Sequence, residues 1–363
     1  MSSQKSLIGK KPKIKKAIKP VSQRPSSKGT LSKKLEASFA EAGYQKPQKP
    51  NPAPYAIKKQ RAERDARHAQ PRPAQDKKHS APNVLRSELL DKFPWLLHGF
   101  STRTGGVSNE YGGHALNLGI THEDTKTNVQ RNRELFKQAV GAVDHSKNSW
   151  PLLNLKQIHS AIIHRVDHSG EGVTAGDGLI TNAPGVLLAV KTADCFPVIV
   201  VDLVRHAVGV FHAGWRGTVQ RIVEKGIGEF RRQFGSDPKD LLAVIGPGIG
   251  PCCYEVGDEV VDEFATQFAY SPELFEEVFD SHSLHLKYPL LFLNQRAPGH
   301  GDAAARPHLD LVKANRYQLR DAGLPAQNIS ALEQCTACRT DLFFSHRVER
   351  ATGRMMAVVG IRE

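Results

Sequence analysis

Residues 186–217 read VLLAVKTADCFPVIVVDLVRHAVGVFHAGWRG, and this stretch decides the fold. It holds three short runs rich in β-branched residues, at Val186–Val190, Val198–Val201 and Ala207–Phe211. Apolar runs of this length, bounded by turn residues, are typical of buried strands. The stretch therefore predicts three core strands, with a cysteine and a histidine close to their ends.

Working outward, a glycine-punctuated turn from His212 to Thr218 leads into the first of three patterns with helical spacing. Leu241–Ile245 and Met356–Ile361 are predicted as further strands, and Gly323 is predicted to end the third helix. Because helices and strands mix without strict alternation, the sequence predicts an α+β fold with mixed sheets. The positions that define the three helices are Ile222, Val223, Gly226, Ile227 and Phe230; Val260, Val261, Phe264 and Phe268; and Leu309, Val312, Asn315 and Leu319.

The net charge of +13 is concentrated at the N-terminus. Residues 1–80 contain 16 Lys and 5 Arg against 5 acidic residues, whereas the remainder has a small acidic excess. Apolar residues are too sparse there to offset the entropy of folding. We therefore predict a disordered basic tail over 1–85 and a catalytic domain over 86–363. The tail has the charge for weak contact with nucleic acid or an anionic surface.

The chain has five cysteines, at positions 195, 252, 253, 335 and 338. An odd number without an apolar leader argues against a disulfide scaffold and favours a cytoplasmic protein. No apolar run approaches the roughly 18 residues of a membrane span. The oligomeric state stays open, with a homodimer as one option.

Three residues stand where a metal centre could form. His159 follows the apolar stretch 152–158, Cys195 lies between two predicted strands, and His212 ends a third. Imidazole and thiolate both suit zinc, and three protein ligands leave a fourth position for water, as in catalytic sites. The spacing matches no short metal signature, so the alternative is three ordinary buried residues.

The other four cysteines are less informative. Cys335 and Cys338 form a C-x-x-C pair, which is compatible with half of a zinc site or with a redox pair. The sequence contains no second C-x-x-C. Cys252 and Cys253 are adjacent, and in an extended chain they would point apart, which favours a role in packing.

The chain resembles the YfiH family, also called the laccase-domain or polyphenol-oxidoreductase family. The matching stretches run in order over nearly all of residues 90–363. His346 departs from the resemblance, because an aromatic residue such as Tyr is expected there. The stretches are His98-Gly-Phe-Ser-Thr-Arg-Thr-Gly-Gly-Val-Ser108, Leu116-Asn-Leu-Gly119, Lys156-Gln-Ile-His159, Gly176-Asp-Gly-Leu-Ile-Thr181, Thr192-Ala-Asp-Cys-Phe-Pro197, His212-Ala-Gly-Trp-Arg-Gly217, Ile245-Gly-Pro-Gly-Ile-Gly-Pro-Cys-Cys-Tyr-Glu-Val256, Cys335-Thr336, Phe343-Phe-Ser-His-Arg347 and Thr352-Gly-Arg354.

The resemblance implies a layered α/β/β/α sandwich with zinc on His159, Cys195 and His212. It also implies phosphorolysis of adenosine, inosine and S-methyl-5'-thioadenosine, and hydrolytic deamination of adenosine. Phosphorolysis needs an anion site, for which Arg216 and Arg103 are candidates, each with a structural salt bridge as the alternative. Asn117 is a candidate contact for sugar or phosphate. Asp177 and Glu255 are the candidate acid or base, and each could instead brace a turn.

Two other enzyme classes remain open. A copper-dependent polyphenol oxidoreductase would need many histidines, and outside the tail the sequence has no H-x-H cluster. A cysteine hydrolase would use Cys195 as the nucleophile and His212 as the base. The sequence lacks the H-E-x-x-H and G-x-S-x-G motifs, which argues against two common classes of hydrolase.

Overall fold

The structure is a computed structural model that describes residues 81–167, 175–279 and 305–362, with no side-chain description at 278, 279 and 305. Its described part contains fourteen strands and seven α-helices. The strands are β1 (Val84–Leu85), β2 (Leu96–Ser101), β3 (Thr104–Ser108), β4 (Leu152–Asn154), β5 (Ile163–Arg165), β6 (Gly178–Thr181), β7 (Leu187–Thr192), β8 (Phe196–Asp202), β9 (Ala207–Ala213), β10 (Leu241–Ile245), β11 (Phe275–Phe279), β12 (Ala305–Leu309), β13 (Ile329–Ala331) and β14 (Met355–Ile361).

Four of the α-helices have 10 to 15 residues and are amphipathic, and the other three have four or five residues. The helices are α1 (Glu88–Asp91), α2 (Lys126–Val140), α3 (Trp215–Val219), α4 (Ile222–Phe234), α5 (Asp258–Gln267), α6 (Leu311–Asp321) and α7 (His346–Glu349). Three 3₁₀ turns accompany them in the described ranges, at Pro238–Asp240, Ser271–Leu274 and Ala326–Asn328.

Two mixed sheets form the centre of the fold. The first has the order β1-β2-β14-β7-β4, with only the β7–β4 pair parallel. The second has the order β13-β10-β8-β9-β6-β5, with parallel pairs at its two edges. β11 and β12 form a separate antiparallel ribbon. The mixed sheets confirm the predicted α+β class.

The core is divided into layers by these sheets. One apolar cluster lies between them, with Val190 and Val359 from the first sheet and Val201 and Val210 from the second. A second cluster packs α4, α5 and α6 on the outer face of the second sheet. A third packs α2 on the outer face of the first sheet. This arrangement of helix, sheet, sheet and helix confirms the layered sandwich that the resemblance implied.

The predicted core strands and the α4 helix are confirmed. Leu241–Ile245 has the predicted bounds, and the other four predicted strands differ from the prediction by one or two residues at one or both ends. α4 begins at Ile222, and its Gly226 lies so close to β9 that a Cβ there would be 2.6 Å from the Phe211 ring. Glycine at this position therefore permits the close approach of helix to sheet.

Two helix boundaries were predicted wrongly. Leu309 belongs to β12, because Asp310 caps α6 by accepting a hydrogen bond from the Lys313 backbone N–H at 2.9 Å. Phe268 follows α5 in an extended conformation and stacks against Tyr270, with ring centroids 5.1 Å apart. In both places a local capping or stacking contact overrides the helical spacing of apolar residues.

Most of the predicted tail lies outside the described residues, so its disorder stays a prediction. Its last residues are described, and Val84 and Leu85 pair with Ser101 and Phe100 of β2. The sheet therefore begins slightly before residue 86. No helix in the described part of the chain has both the length and the apolar character that a bilayer crossing requires.

Candidate metal centre

The structure brings together the three predicted ligands. One ligand atom from each of His159, Cys195 and His212 lies within 4.8 Å of the others. In the β8–β9 pair, Pro197 is opposite His212, so Cys195, just ahead of β8, lies at the same end of the sheet. His159 reaches this end from the loop before β5. Residues separated by up to 53 positions therefore share one site.

Asp177 orients the His212 ring through its Nδ1 atom. Its Oδ1 atom accepts a hydrogen bond from His212 Nδ1 at 2.8 Å, and its backbone carbonyl accepts from the His212 N–H at 2.7 Å. With Nδ1 engaged, the other ring nitrogen is the one available to a metal. Asp177 is fully buried, so its role in the structure is to position His212.

The same carboxylate shapes the loop that carries His159. It accepts backbone hydrogen bonds from Ile158, His159 and Ser160 at 3.2, 3.1 and 2.7 Å, and a further one from the Ser160 hydroxyl at 2.8 Å. These bonds hold His159 at φ 57°, a left-handed conformation that a non-glycine residue rarely adopts. One buried carboxylate therefore positions both histidines.

Two other residues fix the remaining geometry. The Gln157 side chain makes two hydrogen bonds to the backbone of Lys191 in β7, at 2.7 and 2.8 Å, which ties the loop to the first sheet. Gly214 leaves room for the ligands, because a Cβ there would be 2.7 Å from Cys195 Sγ and 3.4 Å from His159 Cδ2. Any larger residue at 214 would collide with the site.

The electrostatics of the cluster favour a thiolate. Burial tends to raise the Cys195 pKa, but the His212 charge and hydrogen bonding to His159 outweigh it and lower the pKa to about 6. Burial tends to lower the His212 pKa, but Cys195 and Asp177 raise it to about 9. The Asp177 pKa is lowered to about 2, because hydrogen bonds from His212 and Ser160 outweigh its burial. The three shifts all favour the charged forms of these side chains.

This donor set fits zinc. Two imidazoles and a thiolate are ligands that Zn²⁺ prefers, and a second-layer carboxylate behind a ligating histidine is a recurrent feature of such sites. His159 is exposed whereas His212 is buried, so the cluster opens to solvent on the His159 side. The residues could hold one ion with a position left for a reacting molecule.

Asp194 is a positioning residue that the sequence did not single out. It precedes Cys195 with φ 90°, and its carboxylate accepts hydrogen bonds from the Thr336 hydroxyl and the Arg347 backbone N–H, both at 2.7 Å. Its backbone carbonyl accepts from the Ile249 N–H at 2.8 Å. Its position next to Cys195, a candidate metal ligand, was the signal that could have identified it.

Arg216 and two further residues surround the same end of the sheet. Arg216 is exposed and lies over the Trp215 ring at 4.4 Å, and no described acidic side chain forms an ion pair with it. Burial and the Cys195 charge raise the Tyr254 pKa, and the Arg347 and Arg216 charges oppose this shift. Tyr254, which the sequence analysis quoted without a role, therefore lies within electrostatic range of Cys195, Arg347 and Arg216, and the Arg347 guanidinium lies over its ring at 5.1 Å.

Arg103 lies in a buried structural network. Its guanidinium donates to the carbonyls of Thr340 and Tyr111 at 2.7 and 2.9 Å and pairs with Glu349 at 2.9 Å. It also stacks over the Phe344 ring at 4.7 Å. These contacts favour the salt-bridge alternative over phosphate binding.

Asn117 and Glu255 likewise have protein partners. Asn117 is fully buried, donates to Asp124 at 2.8 Å and accepts from the Arg354 backbone N–H at 2.9 Å. Glu255 forms an exposed ion pair with Arg306 at 2.9 Å. Both arrangements favour a bracing role, which was the alternative left open for Glu255.

Comparison with known proteins assigns the chain to a family. The family model described as multi-copper polyphenol oxidoreductase laccase matches residues 97–362. The purine nucleoside phosphorylase YlmD of Geobacillus stearothermophilus is 34% identical over 78% of this chain and 98% of its own length. The adenosine deaminase RL5 of an unknown prokaryotic organism is 35% identical over 50% of this chain and 60% of its own.

A solved structure gives the same assignment. The crystal structure of the Bacillus licheniformis hypothetical protein YfiH superposes with a TM-score of 0.65 at 32% identity. The match covers 78% of this chain and 98% of the YfiH chain. The chain therefore belongs to the multi-copper polyphenol oxidoreductase laccase family, as its resemblance to YfiH proteins predicted.

Proposed function

We propose that this protein is a zinc-dependent purine nucleoside enzyme. It phosphorolyses adenosine, inosine and S-methyl-5'-thioadenosine, and it deaminates adenosine hydrolytically. The observation that carries the proposal is the convergence of His159, Cys195 and His212 on one solvent-open point. The names of the relatives, a purine nucleoside phosphorylase and an adenosine deaminase, supply the substrate class.

The candidate ligands and Asp177 have different roles in the proposed function. His159, Cys195 and His212 would hold the ion, which when bound supplies Lewis-acid activation of water or substrate. Asp177 keeps the proton of His212 on Nδ1, so that the other nitrogen faces the site. Phosphorolysis breaks the C1'–N9 bond of the nucleoside and joins C1' to a phosphate oxygen. Deamination replaces the C6 amino group with an oxygen from water and releases ammonia.

Arg216 is the strongest candidate for holding phosphate, because it is exposed, follows Gly214 of the site by two positions, and lies within electrostatic range of Tyr254. Replacing Arg216 with Gln is expected to raise the KM for phosphate by about tenfold or more, the effect of losing one charge-assisted hydrogen bond. Steady-state phosphorolysis at varied phosphate measures it. The matched control is Arg232→Gln, at an exposed arginine of α4 that pairs with Glu229. Equal KM values for Arg216→Gln and wild type would contradict the assignment.

The activity itself is tested with the zinc-loaded protein and adenosine. With phosphate present we expect adenine and ribose 1-phosphate, and without phosphate we expect inosine and ammonia. Chromatography separates the purines, and metal analysis of the same sample verifies the zinc. If neither adenine nor inosine forms from zinc-loaded protein, the proposed function is wrong.

A second candidate is a cysteine hydrolase, which the lowered pKa of Cys195 and the raised pKa of the adjacent His212 favour. Iodoacetamide distinguishes the zinc enzyme from the cysteine hydrolase. Zinc should block alkylation of Cys195 in a zinc enzyme, whereas a nucleophilic Cys195 would stay reactive.

Multi-copper oxidation is less well supported. The two candidate metal-binding groups among the described residues contain only two histidines together. Copper content and oxygen consumption test it.

A further inference from the structure

Four cysteines that the proposed function does not use form a second cluster. The Sγ atoms of Cys252, Cys253, Cys335 and Cys338 all lie within 4.8 Å of one another. Cys338 Sγ is 3.5 Å from Cys252 Sγ and 3.4 Å from Cys253 Sγ. The five cysteines of the chain are thus split between two sites, with Cys195 alone in the first.

A turn brings the adjacent pair to the same point. The backbone N–H groups of Cys253 and Tyr254 both donate to the Gly250 carbonyl, at 3.0 and 3.1 Å. This turn directs Cys252 and Cys253 toward Cys338, so the expectation that they point apart in an extended chain is wrong. The reason is local: Gly250 and Pro251 start a turn where an extended segment was assumed.

A short parallel contact supplies the other pair. Gly248 bridges to Cys335, and the Thr336 N–H donates to the Gly248 carbonyl at 3.0 Å. The C-x-x-C segment is thereby aligned against the loop after β10. Two segments more than 80 residues apart each contribute two sulfurs, which is the 2+2 arrangement of structural zinc sites.

The sulfur geometry fits a metal better than a disulfide. Zinc–sulfur bonds of about 2.3 Å in a tetrahedron place the sulfurs about 3.8 Å apart, close to the observed separations. A disulfide needs about 2.0 Å. The Gly250 backbone N–H also donates to Cys335 Sγ at 3.2 Å, a contact that stabilises a thiolate.

We propose that Cys252, Cys253, Cys335 and Cys338 form a structural tetrathiolate zinc site. Binding displaces the thiol protons and transfers no electrons. Four sulfur ligands close the coordination sphere, so the site holds its ion without a position for substrate. Cys252 and Cys335 also line a cavity of about 800 Å³, which gives the ion a path of entry.

The position of the cluster indicates what the ion stabilises. The loop that carries Cys252 also donates to Asp194 through the Ile249 N–H, and the segment that carries Cys335 donates through the Thr336 hydroxyl. Asp194 directly precedes Cys195. The second ion therefore joins the two segments that hold the first site in shape.

Zinc content per chain tests the site. The loss of one zinc ion on replacing Cys338 does not depend on the proposed function, whereas the second zinc ion in wild type rests on it. Wild type, Cys195→Ala, Cys338→Ala and the double variant are expected to contain about two, one, one and no zinc ions by mass spectrometry. Replacing zinc with cobalt gives a spectroscopic measure of the number of sulfur ligands. Cys195→Ala should retain most of the sulfur-to-cobalt charge-transfer absorption, and Cys338→Ala should lose most of it.

If Cys338→Ala fails to fold, the Cys195→Ala protein alone shows whether the four cysteines bind zinc. Titration with a mercurial in the presence of a chromogenic chelator should release about one zinc as four thiols react. Three results would overturn the proposal: no zinc in Cys195→Ala, wild-type zinc content in Cys338→Ala, or disulfides instead of thiols at these positions. Failure of the adenosine assay would leave all of these measurements unaffected.

Discussion

Replacing Asp177 with Asn is expected to lower both zinc affinity and kcat/KM for adenosine by about 100-fold. Loss of a carboxylate behind a ligating histidine costs about 10- to 100-fold in metal affinity or activity. Asp177 serves both histidines, so the upper end of this range applies. Its carboxylate faces only donors, from His212, Ile158, His159 and Ser160.

An asparagine of the same shape cannot satisfy these donors. Whichever way the amide is turned, its NH₂ group faces an N–H, either that of His212 or those of the His159 loop. The repulsion either turns the His212 ring or releases His159 from its left-handed conformation. Zinc affinity is measured by competition with a chelator of known affinity, and kcat/KM by adenosine turnover at saturating zinc.

Asp202→Asn is the matched control. Asp202 is also a fully buried aspartate in the second sheet, and it accepts from the backbone N–H groups of Val204 and Arg205, both at 2.8 Å. It contacts none of the candidate zinc ligands. We expect this variant to lose stability and to keep its zinc affinity. Wild-type zinc affinity in Asp177→Asn would contradict the role assigned to Asp177.

The stability of the protein is expected to fall below about pH 6.5 because of His98. This histidine is almost fully buried in β2, and its Nε2 accepts a hydrogen bond from the Ser87 backbone N–H at 2.9 Å. Burial lowers the His98 pKa from 6.5 to about 4; Asp91 opposes the shift and Arg86 adds to it. Protonation of Nε2 would place its N–H against the Ser87 backbone N–H, and the hydrogen bond would be lost.

Because the pKa is lower in the folded state, unfolded chains bind protons first as the pH falls. The stabilisation is therefore complete above the unfolded value of 6.5 and is lost as the pH falls toward 4. The full effect is about 3 kcal/mol, of which about 2 kcal/mol is lost between about pH 7 and about pH 5. Urea unfolding at the two pH values measures it.

A His98→Gln variant isolates this contribution, since the Gln amide oxygen can accept from Ser87 without titrating. Its free energy of unfolding should fall about 2 kcal/mol less than that of wild type between the two pH values. His122→Gln, at an exposed position, is the control and should behave like wild type. Parallel pH profiles for wild type and His98→Gln would contradict the prediction.

Much of the fold was predictable because its signals are local. The core strands and α4 follow from apolar runs and helical spacing in single segments. The three candidate metal ligands, which the structure brings together, were predicted from residue type, their places at strand ends and the family resemblance. These signals need no knowledge of distant contacts.

The roles of Arg103 and Asp194 depend on contacts that sequence patterns do not encode. Arg103 is neutralised by Glu349, which lies 246 positions away, and Asp194 is held by Arg347, which lies 153 positions away. The four-cysteine cluster was missed for a related reason. Its two halves lie on separate segments, and one half has no spacer between its cysteines.

The place of β14 in the first sheet bears on how this protein is made. β14 lies between β2 and β7, and within the described ranges it is the strand that joins these two. During translation, β2 and β7 are synthesised long before residues 355–361, whereas the β8–β9 hairpin can close at once. A ribosome-bound chain is therefore expected to expose unpaired apolar strand edges until β14 emerges, and such edges are the surfaces that chaperones of nascent polypeptides shield.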